Sequence, residues 1–195
     1  VGAAVFDLNG MDQTISGQVE AHYAGSGTQR IISSGPATLT VSNSIDNTFG
    51  TTGSSIEGKI ALVKAGTATL TLTGTNSYSG ATVVSGGTLA VGNSGMLGTG
   101  STNVVVAAGT LALQNPASAV SDLATVRIAD GGAKIDLAAS VNETVSALFF
   151  GGKQVRAATY GGTDSGAQVI SATRFSGTGI LTVLTGSGGS VLMVR

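Results

Sequence analysis

Leu62-Val-Lys-Ala-Gly-Thr-Ala-Thr-Leu-Thr-Leu-Thr-Gly-Thr-Asn-Ser-Tyr-Ser-Gly-Ala-Thr-Val-Val-Ser-Gly-Gly-Thr-Leu-Ala-Val91 is the stretch whose reading decides the fold. Three of its runs, Thr69-Leu-Thr-Leu72, Ala81-Thr-Val-Val84 and Thr88-Leu-Ala-Val91, are short and either alternate apolar with small polar residues or are β-branched. Such runs bounded by glycine turns, here Ser85-Gly-Gly87, read as strands. No window keeps a 3.6-residue apolar period, because Gly and Thr interrupt it, so little or no α-helix is expected.

The same strand motif returns along the chain as Thr38-Leu-Thr-Val41, Thr110-Leu-Ala-Leu113, Lys134-Ile-Asp-Leu137 and Gly179-Ile-Leu-Thr-Val183. From Leu39 the steps are 31 to Leu70, 19 to Leu89, 22 to Leu111 and 24 to Ile135. Ile135 to Leu181 is 46, or two steps of 23, and Leu8 lies 31 before Leu39. Repeats at 19–24 residues are the signature of solenoid coils, the two 31-residue coils carrying inserted loops. Further strands fall between the main ones, at Asn103-Val-Val-Val106, Thr125-Val-Arg-Ile128 and Thr144-Val-Ser-Ala-Leu148. One coil cannot bury its own apolar face; stacking coils at ~4.8 Å pairs each strand with its copies and makes a continuous core. The expectation is an all-β, single parallel β-helix (β-solenoid) over residues 1–185. About seven or eight coils would make a rod of roughly 35–40 Å.

Composition fits this and excludes other classes. The 195 residues include 31 Gly, 22 Ser and 25 Thr, 42% are hydrophobic and 10% charged, with net charge −1. Disordered chains are poor in apolar residues and rich in charge. Nine Lys+Arg against ten acids make no basic footprint for nucleic acid. No apolar run reaches the ~18 residues of a membrane-spanning helix. The absence of cysteine excludes disulfides, thiolate zinc sites and a cysteine nucleophile.

The quoted stretch resembles the autotransporter-associated β-strand repeat, also called the passenger-associated transport repeat, whose pattern runs K-x-G-x-G-T-L-T-L-S-G-x-N-T-Y-S-G-x-T-x-V-x-x-G-T-L. Ala65 and Ala68 stand where that pattern has Thr or Gly. Phe6-Asp-Leu-Asn-Gly10 with Gln13-Thr-Ile15 is similar to a segment that precedes such repeats. Ala147-Leu-Phe-Phe-Gly-Gly-Lys-Gln, Thr159-Tyr-Gly161 and Phe175-Ser-Gly-Thr-Gly-Ile-Leu-Thr-Val183 are similar to the closing segment of bacterial surface proteins that carry them. The resemblance implies a right-handed parallel β-helix, extracellular or at a bacterial cell surface after removal of an export signal not present in this chain. No run of eight or more membrane-barrel strands follows the repeat.

The search for chemistry returns no catalytic, cofactor-binding or metal-binding residues, and the expectation is no enzyme and no cofactor. Glycoside hydrolysis needs two carboxylates on one face, and the ten acids are scattered. Asp130 and Asp136 come nearest to a pair, but Asp130-Gly-Gly132 reads as a turn and Asp136 as a solvated strand residue. His22 is the lone histidine and cannot build a multi-histidine site. Asn9, Asn76, Asn93 and Asn115 fall near turns, and Tyr78 with Ser79 reads as closing a corner. Glycan binding stays open, with no motif behind it.

The ends remain. No cap is legible at either terminus. Val1, Val5 and Leu8 belong to an apolar run that opens the chain; Val191, Leu192, Met193 and Val194 form another beyond the Thr185-Gly-Ser-Gly-Gly189 linker. Residues 186–195 read as a tethered strand that a neighbouring subunit can take up by β-augmentation. These seven residues are the self-association candidates. The reading that follows is a structural protein forming a homo-oligomer or homopolymer through its solenoid ends, an extracellular filament or surface layer. The alternative is a passenger, spacer or adhesin segment of a larger bacterial surface protein.

Overall fold

The computed structural model describes residues 4–19, 28–50 and 53–190. Among them every regular element is a strand and no helix forms. The strands stack as a parallel β-solenoid whose coils turn through three sides. One side is a six-stranded sheet in the order Phe175–Gly177, Lys134–Leu137, Thr110–Leu113, Thr88–Val91, Thr69–Leu72, Asn47–Phe49. The other two sides merge into one fourteen-stranded sheet, because its longest strands bend at a corner and serve both. Gln29–Ser42 pairs with Ala4–Asp7 before the bend and with Gln13–Ile15 after it. Against Ser55–Ala65 its register slips between Ser33 and Ala37, where Gly35-Pro36 turns the chain.

Side-chain alternation makes the core. Leu70, Leu89, Leu111 and Ile135 stand in register in successive coils, beside Leu72, Val91, Leu113 and Leu137. All eight are buried, and full burial of each such side chain contributes roughly 1.5–3 kcal/mol. Val104, Val126 and Leu148 form a matching column on the next side, beside Val106 and Ile128. The Thr, Lys and Asp residues between them point outward, so the strand motif that repeats in sequence is one face of a coil seen again and again.

The short steps of 19, 22 and 24 are those of the ladder: Leu70 opposite Leu89, Leu89 opposite Leu111, Leu111 opposite Ile135. The three long steps are corrected. Leu39 stands opposite Leu62, not Leu70, so no 31-residue coil occurs there. Leu8 donates its N–H to Ile32 and is not in register with Leu39. Ile135 faces Phe175, while Leu181 lies in the other sheet opposite Glu143. The physical reason is shared: every side of a coil alternates apolar inward, so motif likeness alone does not tell one side from another. Among the described residues six strands stack in the short sheet, while eight successive parallel strands, from Ala4–Asp7 to Ile180–Gly186, stack in the long one, seven steps or roughly 34 Å at ~4.8 Å each.

The C-terminal end is covered, which the sequence reading did not anticipate. After Asn142–Phe150 the chain leaves the solenoid, and Ala158–Gly161 returns antiparallel on the outer edge of Ile180–Gly186. Phe150, Tyr160 and Phe175 pack together there, with centroids 5.9–6.3 Å apart. Arg174 bonds the Ala129 carbonyl and the Asp130 carboxylate, its guanidinium 5.4 Å from the Phe150 ring centroid. The stretch read as a linker is a hairpin: Thr185 and Gly186 pair antiparallel with Ser190 and Gly189.

Candidate functional site

Lys64, Asn76, Asn115 and Glu143 are polar side chains that reach inward and tie one coil to the next. Lys64 stands in a core column between Val41 and Val84 and is fully buried. Its ammonium donates to the carbonyls of Ala65, Gly66 and Gly86, tying two successive corners together, and burial lowers its pKa. Asn76 joins three coils: its Oδ1 accepts from Ile56 N–H at 2.9 Å, and its Nδ2 donates to Gly74 and Met96 carbonyls at 3.2 and 2.7 Å. Asn115 does similar work, donating to Gly95 and Ser118 carbonyls. Tyr78 is buried with its hydroxyl 2.7 Å from Thr82 Oγ1, and burial pushes its pKa up to about 12. Gly98 has no room for a side chain over that ring: a Cβ there would sit 2.1 Å from the Tyr78 carbonyl oxygen.

Glu143 is the carboxylate that sequence reasoning passed over. It opens Asn142–Phe150 on an inward position, 2% exposed, and its Oε2 accepts the Ala119 N–H at 2.7 Å. Burial raises its pKa to about 7, against the backbone N–H groups of Ala119, Thr144 and Val120; Asp122 nearby adds to the rise. The signal available was position: Glu143 and Val145 share the inward parity of the strand, which an ordinary solvated Glu would avoid.

The acids weighed for catalysis serve the frame. Asp130 receives Arg174, and Asp136 accepts from Ser176 Oγ at 2.6 Å. Glu57 is paired with Arg30; that hydrogen bond and one from Ser55 hold its pKa down at about 2. Among the described residues no group of three His, Cys, Asp or Glu converges to hold a metal ion. His22 lies outside the described residues. Among the described residues no helix is long and apolar enough to cross a membrane.

Of the self-association candidates, Val1, Val191, Leu192, Met193 and Val194 lie outside the described residues. Val5 is 53% exposed in Ala4–Asp7, the terminal strand of the long sheet, with Phe6 exposed beside it. Leu8 is a core residue, 1% exposed.

Parallel coils, inward columns and buried polar ties at the corners define a solenoid scaffold built from repeats. Residues 62–91 match the family model of the Passenger-associated-transport-repeat. In the structure this stretch is the segment that supplies Lys64, Asn76, Tyr78 and two strands of the short sheet. The chain is also similar to a protein described as "Adhesin BmaC autotransporter" from Brucella suis biovar 1 (strain 1330), at 36% identity over 88 residues. That match covers 44% of this chain and 2% of the relative. No solved structure matches significantly.

Proposed function

We propose that the chain is a non-enzymatic structural segment, a passenger or spacer, of a larger bacterial surface protein. One observation carries the reading. The matched repeat, residues 62–91, contains the side chains that fasten coil to coil, Lys64 and Asn76. The repeat's recognisable residues are thus spent on building length, and a stackable rod is what a surface protein needs to hold a binding region away from the cell. The adhesin relative supports an extracellular or cell-surface location. The test is labelling of intact cells with antibody raised against the purified solenoid. The expected result is label on unpermeabilised cells that external protease removes; label only after permeabilisation would overturn the reading.

Head-to-tail self-assembly is a second reading, favoured by the exposed Val5 and Phe6 on the terminal strand Ala4–Asp7. An edge strand of this kind is a template for pairing with another chain. Sedimentation velocity and negative-stain microscopy of the chain, with and without residues 186–195, decide it. Filaments that Val5→Asp abolishes support self-assembly, and monodisperse monomers at every concentration end it.

A further inference from the structure

We propose that the cleft above Gly92 is a binding site for an uncharged glycan segment. The inference rests on the geometry of the short-sheet side alone and is independent of the surface-segment reading, whose test reads location rather than binding.

The cleft arises from the register. Phe49, Leu72, Val91 and Leu113 stand in line, so the residues that follow them, Gly50, Thr73, Gly92 and Gln114, also succeed one another coil by coil. Glycine at 92 leaves a gap between two positions that carry side chains. A Cβ there would lie 3.2 Å from Thr73 Cγ2 and 3.7 Å from Thr71 Cγ2, so even one added carbon would occupy the floor. The turn that follows raises Asn93 and Ser94 as a rim, and the resulting cleft measures about 550 Å³. Its length spans several coils at ~4.8 Å each, a run over which consecutive sugar units can lie along the solenoid axis.

The lining sets the ligand class. Thr71, Asn93, Ser94 and Gln114 bring two hydroxyls and two amides to the cleft, and no charged residue lines it. None of these four side chains hydrogen-bonds within the described protein, in contrast to Asn76 and Asn115, which are consumed by coil joints. Thr73 is the exception in the lining, its hydroxyl donating to the Phe49 carbonyl at 3.3 Å. Hydroxyls and amides both donate and accept, which matches a polyol and offers nothing to balance an anion. No aromatic ring lines the cleft, so the sugar C–H faces rest on threonine methyls. Affinity therefore depends on many weak contacts across several coils, and a short oligosaccharide binds weakly.

The experiment is a titration of the isotope-labelled full chain, followed by amide chemical shifts, with maltohexaose, cellohexaose and hyaluronan hexasaccharide as separate probes. At least one neutral hexasaccharide is expected to give saturable shifts at Thr71, Gly92, Asn93, Ser94 and Gln114, half-saturating at about 1–10 mM, while the anionic probe does not. Gly92 does not need a left-handed backbone, so Gly92→Ser keeps the fold, checked by unchanged shifts elsewhere, and is expected to weaken binding about tenfold or more. Gln114→Ala, exposed and outside the core, weakens it in the same direction. Absence of saturable shifts at these residues with both neutral probes overturns the proposal. So do equal responses to hyaluronan, or undiminished binding by both variants.

Discussion

Replacing Glu143 with glutamine should remove a pH dependence from the fold and stabilise it at alkaline pH. Glu143 is 2% exposed, and burial raises its pKa from 4.5 to about 7. The folded state therefore holds this proton more tightly than the unfolded chain. Its contribution is fully present below the unfolded value of about 4.5 and is lost as pH rises through about 7, because ionisation inside the core is the unfavourable event. The difference of about 2.5 pKa units corresponds to roughly 3 kcal/mol between pH 4.5 and pH above 7. Glutamine keeps a carbonyl oxygen for the Ala119 N–H, which Glu143 now accepts at 2.7 Å, and carries no charge to desolvate. Imperfect replacement of the backbone contacts costs about 1 kcal/mol of the gain. The assay is urea unfolding of wild type and Glu143→Gln at matched pH from 4 to 8.5. Titrating groups that do not interact with residue 143 are common to both proteins and cancel in the difference, which leaves the Asp122 contact as part of what is measured. The variant should be equal to or less stable than wild type near pH 4.5 and more stable by about 2 kcal/mol near pH 8. A stability difference that does not change with pH would refute the reasoning.

Three further substitutions probe the stack. Leu89→Ala empties a fully buried site between Leu70 and Leu111 in the core column, and should cost about 3 kcal/mol by chemical denaturation. Gly66→Ala should be worse tolerated than its size suggests: φ is +75°, and the new Cβ would meet the Asn43 carbonyl oxygen at 2.4 Å. The backbone penalty alone is about 1–2 kcal/mol, read as a lowered Tm. Tyr78→Phe removes the hydroxyl from its 2.7 Å contact with Thr82 but leaves Thr82 near Ser101, so the loss should be about 1 kcal/mol with the fold unchanged.

Much of the solenoid was legible because its signal is repeated. Thr69-Leu-Thr-Leu72, Thr88-Leu-Ala-Val91, Thr110-Leu-Ala-Leu113 and Lys134-Ile-Asp-Leu137 are the strands at those positions, in the register their spacing implied. The errors came where like motifs belong to different sides, as with Leu39 and Leu70. They came again where the chain leaves the stack before Phe175, since the antiparallel return of Ala158–Gly161 is set by a tertiary edge and an aromatic cluster rather than by local pattern. The inward lysine and glutamate were missed for a related reason. Composition assigns Lys64 and Glu143 to solvent, and only strand parity together with the carbonyls and N–H groups of neighbouring corners shows why each is tolerated inside. The cleft at Gly92 depends on residues from successive coils and has no contiguous motif to find.

The central claim is one continuous parallel stack in a defined register, and the cysteine-free chain permits a direct test. Thr88 and Thr110 face each other on neighbouring strands, within the Cα separation of about 4.4–6.8 Å that a disulfide requires. The Thr88→Cys/Thr110→Cys protein should oxidise to an intramolecular disulfide, seen as a faster-migrating monomer on a non-reducing gel. Thr38→Cys/Thr69→Cys, separated by the rejected 31-residue step and carried on different sheets, should not. Ready crosslinking of the second pair and failure of the first would contradict the stack.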